Sequence, residues 1–297
     1  MENTYDWQQI AKQIEQAIHQ SFTITNIRPV SGGCINSAYI LYSKNTNYFI
    51  KLNQAEFLSM FEAEFSGLKE MFQTKTIKIP HPVVFGVSAN NSFIVMENIS
   101  ITSANSLSDI KLGQQLAALH QIHQPFFGWH VDNTIGSTPQ PNNASEKWVP
   151  FWKECRLGFQ LSLAETNGYG GKLTQSGRKL CESLEYFFSN YSPTPSLLHG
   201  DLWSGNAAVT ANGEPVIYDP ACYYGDREAD IAMTELFGGF GSSFYAAYTD
   251  TYPLHSDYPI RKKLYNLYHI LNHLNLFGES YLHQAQNLID SLLSEIK

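Results

Sequence analysis

The amino-acid sequence predicts an α+β fold in two lobes, a small antiparallel sheet with one inserted helix followed by a mainly helical lobe. Three observations carry that expectation. Strand-like alternation is concentrated in the first 98 residues, helical apolar spacing dominates afterwards, and a dense polar loop lies late in the chain between short apolar strands.

Residues 5–20 place Trp7, Ile10, Ala11, Ile14, Ala17 and Ile18 at helical spacing. Phe22-Thr23-Ile24-Thr25, Ala38-Tyr39-Ile40-Leu41-Tyr42 and Tyr48-Phe49-Ile50-Lys51-Leu52 then read as strands. Ser43-Lys44-Asn45-Thr46-Asn47 forms the turn between the last two. Residues 55–73 return to helical spacing, with Phe57, Phe61, Phe65, Leu68 and Phe72 on one face. Strands around 82–87 and 92–97 complete a first lobe, residues 1–98. Helices are expected over 108–123, 146–166, 172–191, 226–237 and most of 260–296. Residues 133–143 read as a Pro/Asn-rich loop. Short strands near 196–198, 207–210 and 215–218 interrupt this second lobe, residues 99–297.

Composition narrows the function classes. A hydrophobic share of 43% supports a sizeable core, and no apolar run reaches the roughly 20 residues needed to span a bilayer. The start, Met1-Glu2-Asn3-Thr4-Tyr5-Asp6, has no basic region or apolar core, so a soluble cytoplasmic protein is expected. With 19 basic against 27 acidic residues, the net charge of −8 disfavours nucleic acid and anionic membranes as partners. Cys34, Cys155, Cys181 and Cys222 show no CxxC pairing, which argues for free thiols over zinc or a disulfide framework.

The strongest chemical signal is His199-Gly200-Asp201-Leu202-Trp203-Ser204-Gly205-Asn206, followed by Val216-Ile217-Tyr218-Asp219. Phosphoryl transfer needs a carboxylate to orient and deprotonate the attacking hydroxyl, and oxygen ligands to hold Mg²⁺ on the ATP phosphates. Asp201 and Asn206 stand five apart, as in the H-x-D-x-x-x-x-N loop. Asp219, 13 residues beyond Asn206, takes the place of the second metal ligand. Asp201 is therefore the candidate base, and Asn206 and Asp219 are the candidate Mg²⁺ ligands.

The first lobe supplies the candidate ATP site. Gly32 and Gly33, within Ser31-Gly32-Gly33-Cys34, could cover phosphates through backbone N–H groups. Lys51 ends a strand-like run as the V-A-I-K lysine does, and Glu64 shares the inward face of helix 55–73. A carboxylate there needs a partner, and Lys51 is at hand. Met96, Glu97 and Asn98 enter the connector, where backbone groups would meet adenine. Cys34 would be open to oxidation in such a loop.

These residues together resemble the protein-kinase-like phosphotransferases, in their small-molecule branch. Glycine replaces the arginine usual after the catalytic-loop histidine of protein kinases, and only 78 of the 297 residues follow Asp219. Residues 31–37, 135–142, 148–158, 199–206 and 218–239 resemble the fructosamine kinase (ketosamine 3-kinase) family, over a span from about Ile10 to the C-terminus. The resemblance implies ATP- and Mg²⁺-dependent phosphorylation of the sugar 3-hydroxyl of ketosamines, free or protein-bound, and release of the amine. A monomer or homodimer is expected.

Trp203 and Glu235 are the candidate acceptor contacts. Kinases for other small alcohols, and an inactive nucleotide-binding protein of the same fold, are the competing readings. For Asp226, Arg227, Glu228 and Asp230, helix capping or structure and substrate contact are both compatible with the sequence. His269, Asn272 and His273 share one helical face, which fits a packing cluster better than a metal site.

Overall fold

The computed structural model describes residues 5–31 and 35–296. Helix α1 (Trp7–Ile18) leads into a five-stranded antiparallel sheet. Its strands are β1 (Asn26–Val30), β2 (Ser37–Tyr42), β3 (Asn47–Gln54), β4 (Pro82–Ser88) and β5 (Asn91–Glu97), in the order β1-β2-β3-β5-β4. Helix α2 (Leu58–Thr74) is inserted between β3 and β4.

The period of two along a strand sorts side chains between the two helices. Ile50, Leu52, Phe93 and Val95 pack with Ile10 and Ile14 of α1, whereas Ile94 and Met96 join Phe61, Leu68 and Met71 of α2. Lys51 lies between Ile50 and Leu52 in sequence and so emerges on the α2 side. The first lobe thus has two helices, one on each face of the sheet. The sequence expectation of a strand over Phe22-Thr23-Ile24-Thr25 is corrected: the strand is Asn26–Val30. Phe22 is buried in the smaller core, and its N–H donates to Glu15 Oε1 at 2.8 Å.

The second lobe begins with β6 (Ile101–Thr102) and α3 (Ser106–Leu119). Asn105 caps α3, its Oδ1 accepting from the N–H groups of Leu107 and Ser108 at 3.0 Å. Residues 133–143, expected as loop, contain the hairpin β7 (Asn133–Ile135) and β8 (Thr138–Gln140). Helix α4 (Trp148–Trp152) passes through a π turn at Lys153–Leu157 into α5 (Gly158–Thr166), and α6 (Lys172–Glu182) follows.

Strand β9 (Ser196–Leu198) precedes the polar loop, and β10 (Ala207–Thr210) and β11 (Pro215–Ile217) follow it; β12 (Tyr223–Gly225) returns to pair with β9. Four helices close the lobe: α7 (Glu228–Leu236), α8 (Ser242–Thr251), α9 (Tyr258–Phe277) and α10 (Leu282–Glu295). The sequence reading did not anticipate α8, which packs along α3. Among the described residues, no helix is long and apolar enough to cross a membrane. Cys155, Cys181 and Cys222 are buried free thiols.

Candidate active site

The site lies where the sheet lobe meets the β9–β12 region. Lys51 is 8% exposed, and its Nζ donates to Glu64 Oε1 at 2.8 Å and to Asp219 Oδ1. Burial alone would lower the lysine pKa, but Asp219 and Glu64 outweigh it and hold Lys51 above its ordinary value. Lys51 therefore stays charged. Glu64 reaches it because positions 61, 64 and 68 share one helical face, with Phe61 and Leu68 fully buried, while Glu62 is exposed.

Asp201 and Asn206 sit in the loop between β9 and β10. Asn206 Nδ2 donates to the Asp201 carbonyl at 2.8 Å and to its Oδ2 at 3.3 Å. Asp219 follows β11 with φ 58°, a left-handed conformation in a residue other than glycine. The chain is held there by Tyr218 N–H donating to Asn206 O at 3.0 Å and Ala221 N–H to His199 O at 2.9 Å. This arrangement tests a metal directly. Asn206 engages Asp201 through its NH₂, and Asp219 meets Lys51 through Oδ1, which leaves one hard oxygen on each residue for Mg²⁺. Among the described residues, no cluster of three His, Cys, Asp or Glu side chains forms a metal site alone. Two protein ligands completed by phosphate oxygens and water fit Mg²⁺ well.

Asp230 organises the loop from beneath. It is 1% exposed, and its carboxylate accepts from His199 N–H at 2.7 Å, from Gly200 N–H at 2.8 Å and from His120 Nε2 at 3.2 Å. Burial opposes its ionisation, but the bond from His120, the neighbouring histidines and the Gly200 N–H hold its pKa below the usual carboxylate range. His120 is in turn bonded through Nδ1 to Tyr248 Oη at 2.8 Å, and Arg227 Nη1 donates to the same oxygen at 3.1 Å. Burial keeps both His120 and His199 below their ordinary pKa. His199 is fully buried and bonds the Tyr218 carbonyl through Nε2 at 2.8 Å.

The glycine after His199 follows from the same geometry. Gly200 has φ 83°, and a Cβ there would lie 2.1 Å from the Ala221 carbonyl oxygen. A side chain at this position would push apart the two segments that carry Asp201 and Asp219. Gly200→Ala is expected to lower activity by more than it lowers nucleotide affinity, which steady-state kinetics paired with calorimetric binding of a nucleotide would check.

Trp203 is 40% exposed, and its indole lies across Gly205, where a Cβ would fall 2.2 Å from the ring. The ring thus stands in the same loop as Asp201 and is partly open to solvent. Met96 is buried in the core below β5, while Glu97 accepts from Lys78 Nζ at 3.2 Å and from His81 N–H at 3.3 Å. Asn98 follows as the first residue past β5. Glu235 accepts from Tyr258 Oη at 2.5 Å and Lys262 Nζ at 2.7 Å, at the start of α9. Gly32, Gly33 and Cys34 lie outside the described residues.

The remaining acidic run resolves into internal structure. Asp226 accepts from Tyr191 and Tyr265, Glu228 pairs with Arg261 at 2.7 Å, and Arg227 bonds the Tyr252 and Pro253 carbonyls. His269 and His273 are packing residues: burial drives His269 down to about 3, and His273 stacks on Phe237, Phe277 and Tyr281. His120 was not singled out in the sequence. Its place beside the apolar positions 116 and 119 of α3 is the signal that would have marked it as a buried, bonded histidine.

Comparison with known proteins points one way. The sequence model of the family described as fructosamine kinase matches residues 6–295. A probable ketoamine kinase from Synechocystis sp. is 49% identical over 288 residues, covering 97% of each chain. The chloroplastic protein-ribulosamine 3-kinase of Arabidopsis thaliana is 44% identical over 277 residues, 92% of this chain and 84% of that one. The crystal structure of a candidate fructosamine-3-kinase from Haemophilus somnus 129PT superposes with a TM-score of 0.89 at 30% identity, covering 97% of both chains. A choline kinase from Streptococcus pneumoniae, at TM-score 0.65 and 17% identity over 97% of this chain and 99% of that one, shares the fold.

Proposed function

The chain belongs to the fructosamine kinase family, and from that premise we propose that it transfers the γ-phosphoryl group of ATP to the sugar 3-hydroxyl of a ketosamine. The observation that carries this reading is the convergence of Lys51, Glu64 and Asp219 beside a loop presenting Asp201 and Asn206. Lys51, held charged, meets the ATP phosphates. Asp201 orients the acceptor hydroxyl and takes its proton as the oxygen–phosphorus bond forms and ADP departs. Asn206 and Asp219 would hold Mg²⁺, which neutralises charge on the phosphates when bound. Adenine is placed at the connector, against the backbone of Met96, Glu97 and Asn98. Trp203 borders the acceptor, where a part-exposed indole suits stacking on a sugar. Once phosphorylated at this position, a ketosamine is unstable and sheds its amine, so the reaction leads to deglycation of amines and proteins.

Asp201 gives the reaction a pH signature. Burial, with Asp219 and Asp230 nearby, pushes its pKa up to about 7 in the metal-free protein. A base acts ionised, so the transfer rate is expected to fall roughly tenfold per pH unit on the acid side of the pKa that Asp201 has with Mg·ATP bound, and to be level above it. Rates measured across pH 5 to 9 at saturating Mg·ATP check the acid limb.

The direct test is incubation with ATP, Mg²⁺ and a ribulosamine or fructosamine of lysine, followed by mass spectrometry of the acceptor. A gain of one phosphate, located on the 3-hydroxyl by nuclear magnetic resonance, is the expected result. ATP binding without transfer to any ketosamine would reassign the acceptor to another small alcohol, and absence of nucleotide binding would leave a protein without kinase function.

A further inference from the structure

Helix α2 does more than carry Glu64. Further along it, Glu70 Oε2 accepts from Trp129 Nε1–H at 2.6 Å, and Glu70 Oε1 accepts from Tyr224 Oη–H at 2.7 Å. Both oxygens of one first-lobe carboxylate are therefore held by second-lobe donors, through short charge-assisted bonds. Between the two glutamates, Gly67 sits close against the second lobe. A Cβ there would lie 3.0 Å from Cys222 Cβ, 3.6 Å from Pro220 Cγ and 3.8 Å from the Trp129 ring. The missing side chain lets the helix backbone rest directly on the segment that follows Asp219.

Both donors are themselves fixed. Trp129 and Tyr224 are 4% and 6% exposed, and the Tyr224 backbone exchanges hydrogen bonds with Gly128 at 2.9 and 3.0 Å. Tyr224 also pairs with Leu197 in β9, the strand that runs into His199. Helix α2 thus grips residues 219–224 at both ends, Asp219 through Lys51 and Glu64, and Tyr224 through Glu70.

We propose that Glu70 is a positioning residue for the nucleotide site: by tying α2 to Trp129 and Tyr224 it holds Glu64 against Lys51 before ATP arrives. This rests on the reading of Lys51 as the phosphate-contacting lysine. A helix free to move would leave Lys51 correctly placed only part of the time, and apparent nucleotide affinity falls by that fraction. With the tie in place, the ordering is complete in the folded protein.

The test uses the full chain and the non-hydrolysable nucleotide Mg·AMP-PNP, titrated calorimetrically with no acceptor present, so the acceptor's identity does not enter. Glu70→Ala is expected to weaken binding by about 5- to 150-fold, the usual range for coupling between sites. In kinetics it should raise KM for ATP and leave KM for the acceptor in place. Tyr224→Phe, which removes one of the two bonds and keeps the packing, and Glu70→Gln should fall between Glu70→Ala and the wild type. In a Glu64→Gln background, Glu70→Ala should cost little more, because the two changes remove one linked arrangement.

The proposal is overturned if folded Glu70→Ala or Tyr224→Phe protein binds Mg·AMP-PNP as the wild type does, even with a lowered melting temperature. Additive losses in the Glu64→Gln background overturn it as well. A wild type that binds the nucleotide and phosphorylates no ketosamine would sink the acceptor reading while leaving this one standing.

Discussion

Asp201→Asn is expected to lower turnover by about 10²- to 10⁴-fold, the contribution of a positioned proton acceptor, while leaving nucleotide affinity nearly unchanged. The substitution keeps the shape of the side chain and removes only its ability to accept the hydroxyl proton. Apart from the long 3.3 Å bond from Asn206 Nδ2, the Asp201 carboxylate bonds no other described residue, so the fold has little to lose. Removing a half-buried charge that lies near Asp219 and Asp230 also relieves repulsion, so the melting temperature should hold or rise. Calorimetric binding of Mg·AMP-PNP, thermal unfolding and single-turnover transfer from ATP together check the three parts. Turnover at the wild-type rate would remove Asp201 from the chemistry.

Asp230→Ala should fail in the opposite manner, losing stability and activity together. Its carboxylate is the acceptor for two loop N–H groups and for His120, all buried. Truncation leaves those donors without a partner, and a buried donor left unsatisfied costs about 1–3 kcal/mol. The loop that carries Asp201 loses its anchor in the same event, so activity should fall in whatever protein remains folded. Because the folded-state pKa of Asp230 is depressed, its stabilisation is present above the unfolded-state value of about 3.9 and is lost as pH drops through the lower folded value. Asp230→Asn, which keeps one acceptor oxygen, should recover part of the stability. Denaturant unfolding at neutral pH and near pH 3 would show both effects, and an unaltered midpoint in Asp230→Ala would contradict the anchoring role.

The contrast between these two aspartates also explains what the sequence revealed. Lys51 and Glu64 were legible because their partnership follows from local periodicity, a strand alternating by two and a helix face repeating near 3.6. The grouping of Asp201, Asn206 and Asp219 was legible because the proposed chemistry fixes both residue type and interval. Asp230 was ambiguous because its acceptor role depends on α7 being docked beneath a loop some 30 residues earlier, which no local pattern encodes. The stretch 133–143 misled for a related reason: its Asn, Gln and Pro content resembles a solvated loop. In the fold Asn133, Gln140 and Asn142 are 8%, 1% and 1% exposed, and two of them donate to the carbonyls of Cys222 and Ala221. Polar side chains there serve as internal ties for the segment after Asp219, and composition cannot tell an internal tie from a hydrated one. Glu235, a sequence candidate for acceptor contact, meets a tyrosine and a lysine on α9, a partnership equally invisible to local spacing.

The left-handed backbone at Asp219 sets durability and activity against each other at one position. Glycine adopts this conformation freely, and asparagine is among the residues that tolerate it best. Either replacement would also relieve the repulsion felt by Asp201, though it would give up the ion pair with Lys51. The residues best suited to the local geometry are thus poorer in charge than the one present. A screen that selected only for thermal resistance would tend to harvest inactive protein from this codon, so stabilising this fold without losing its chemistry requires holding residue 219 fixed.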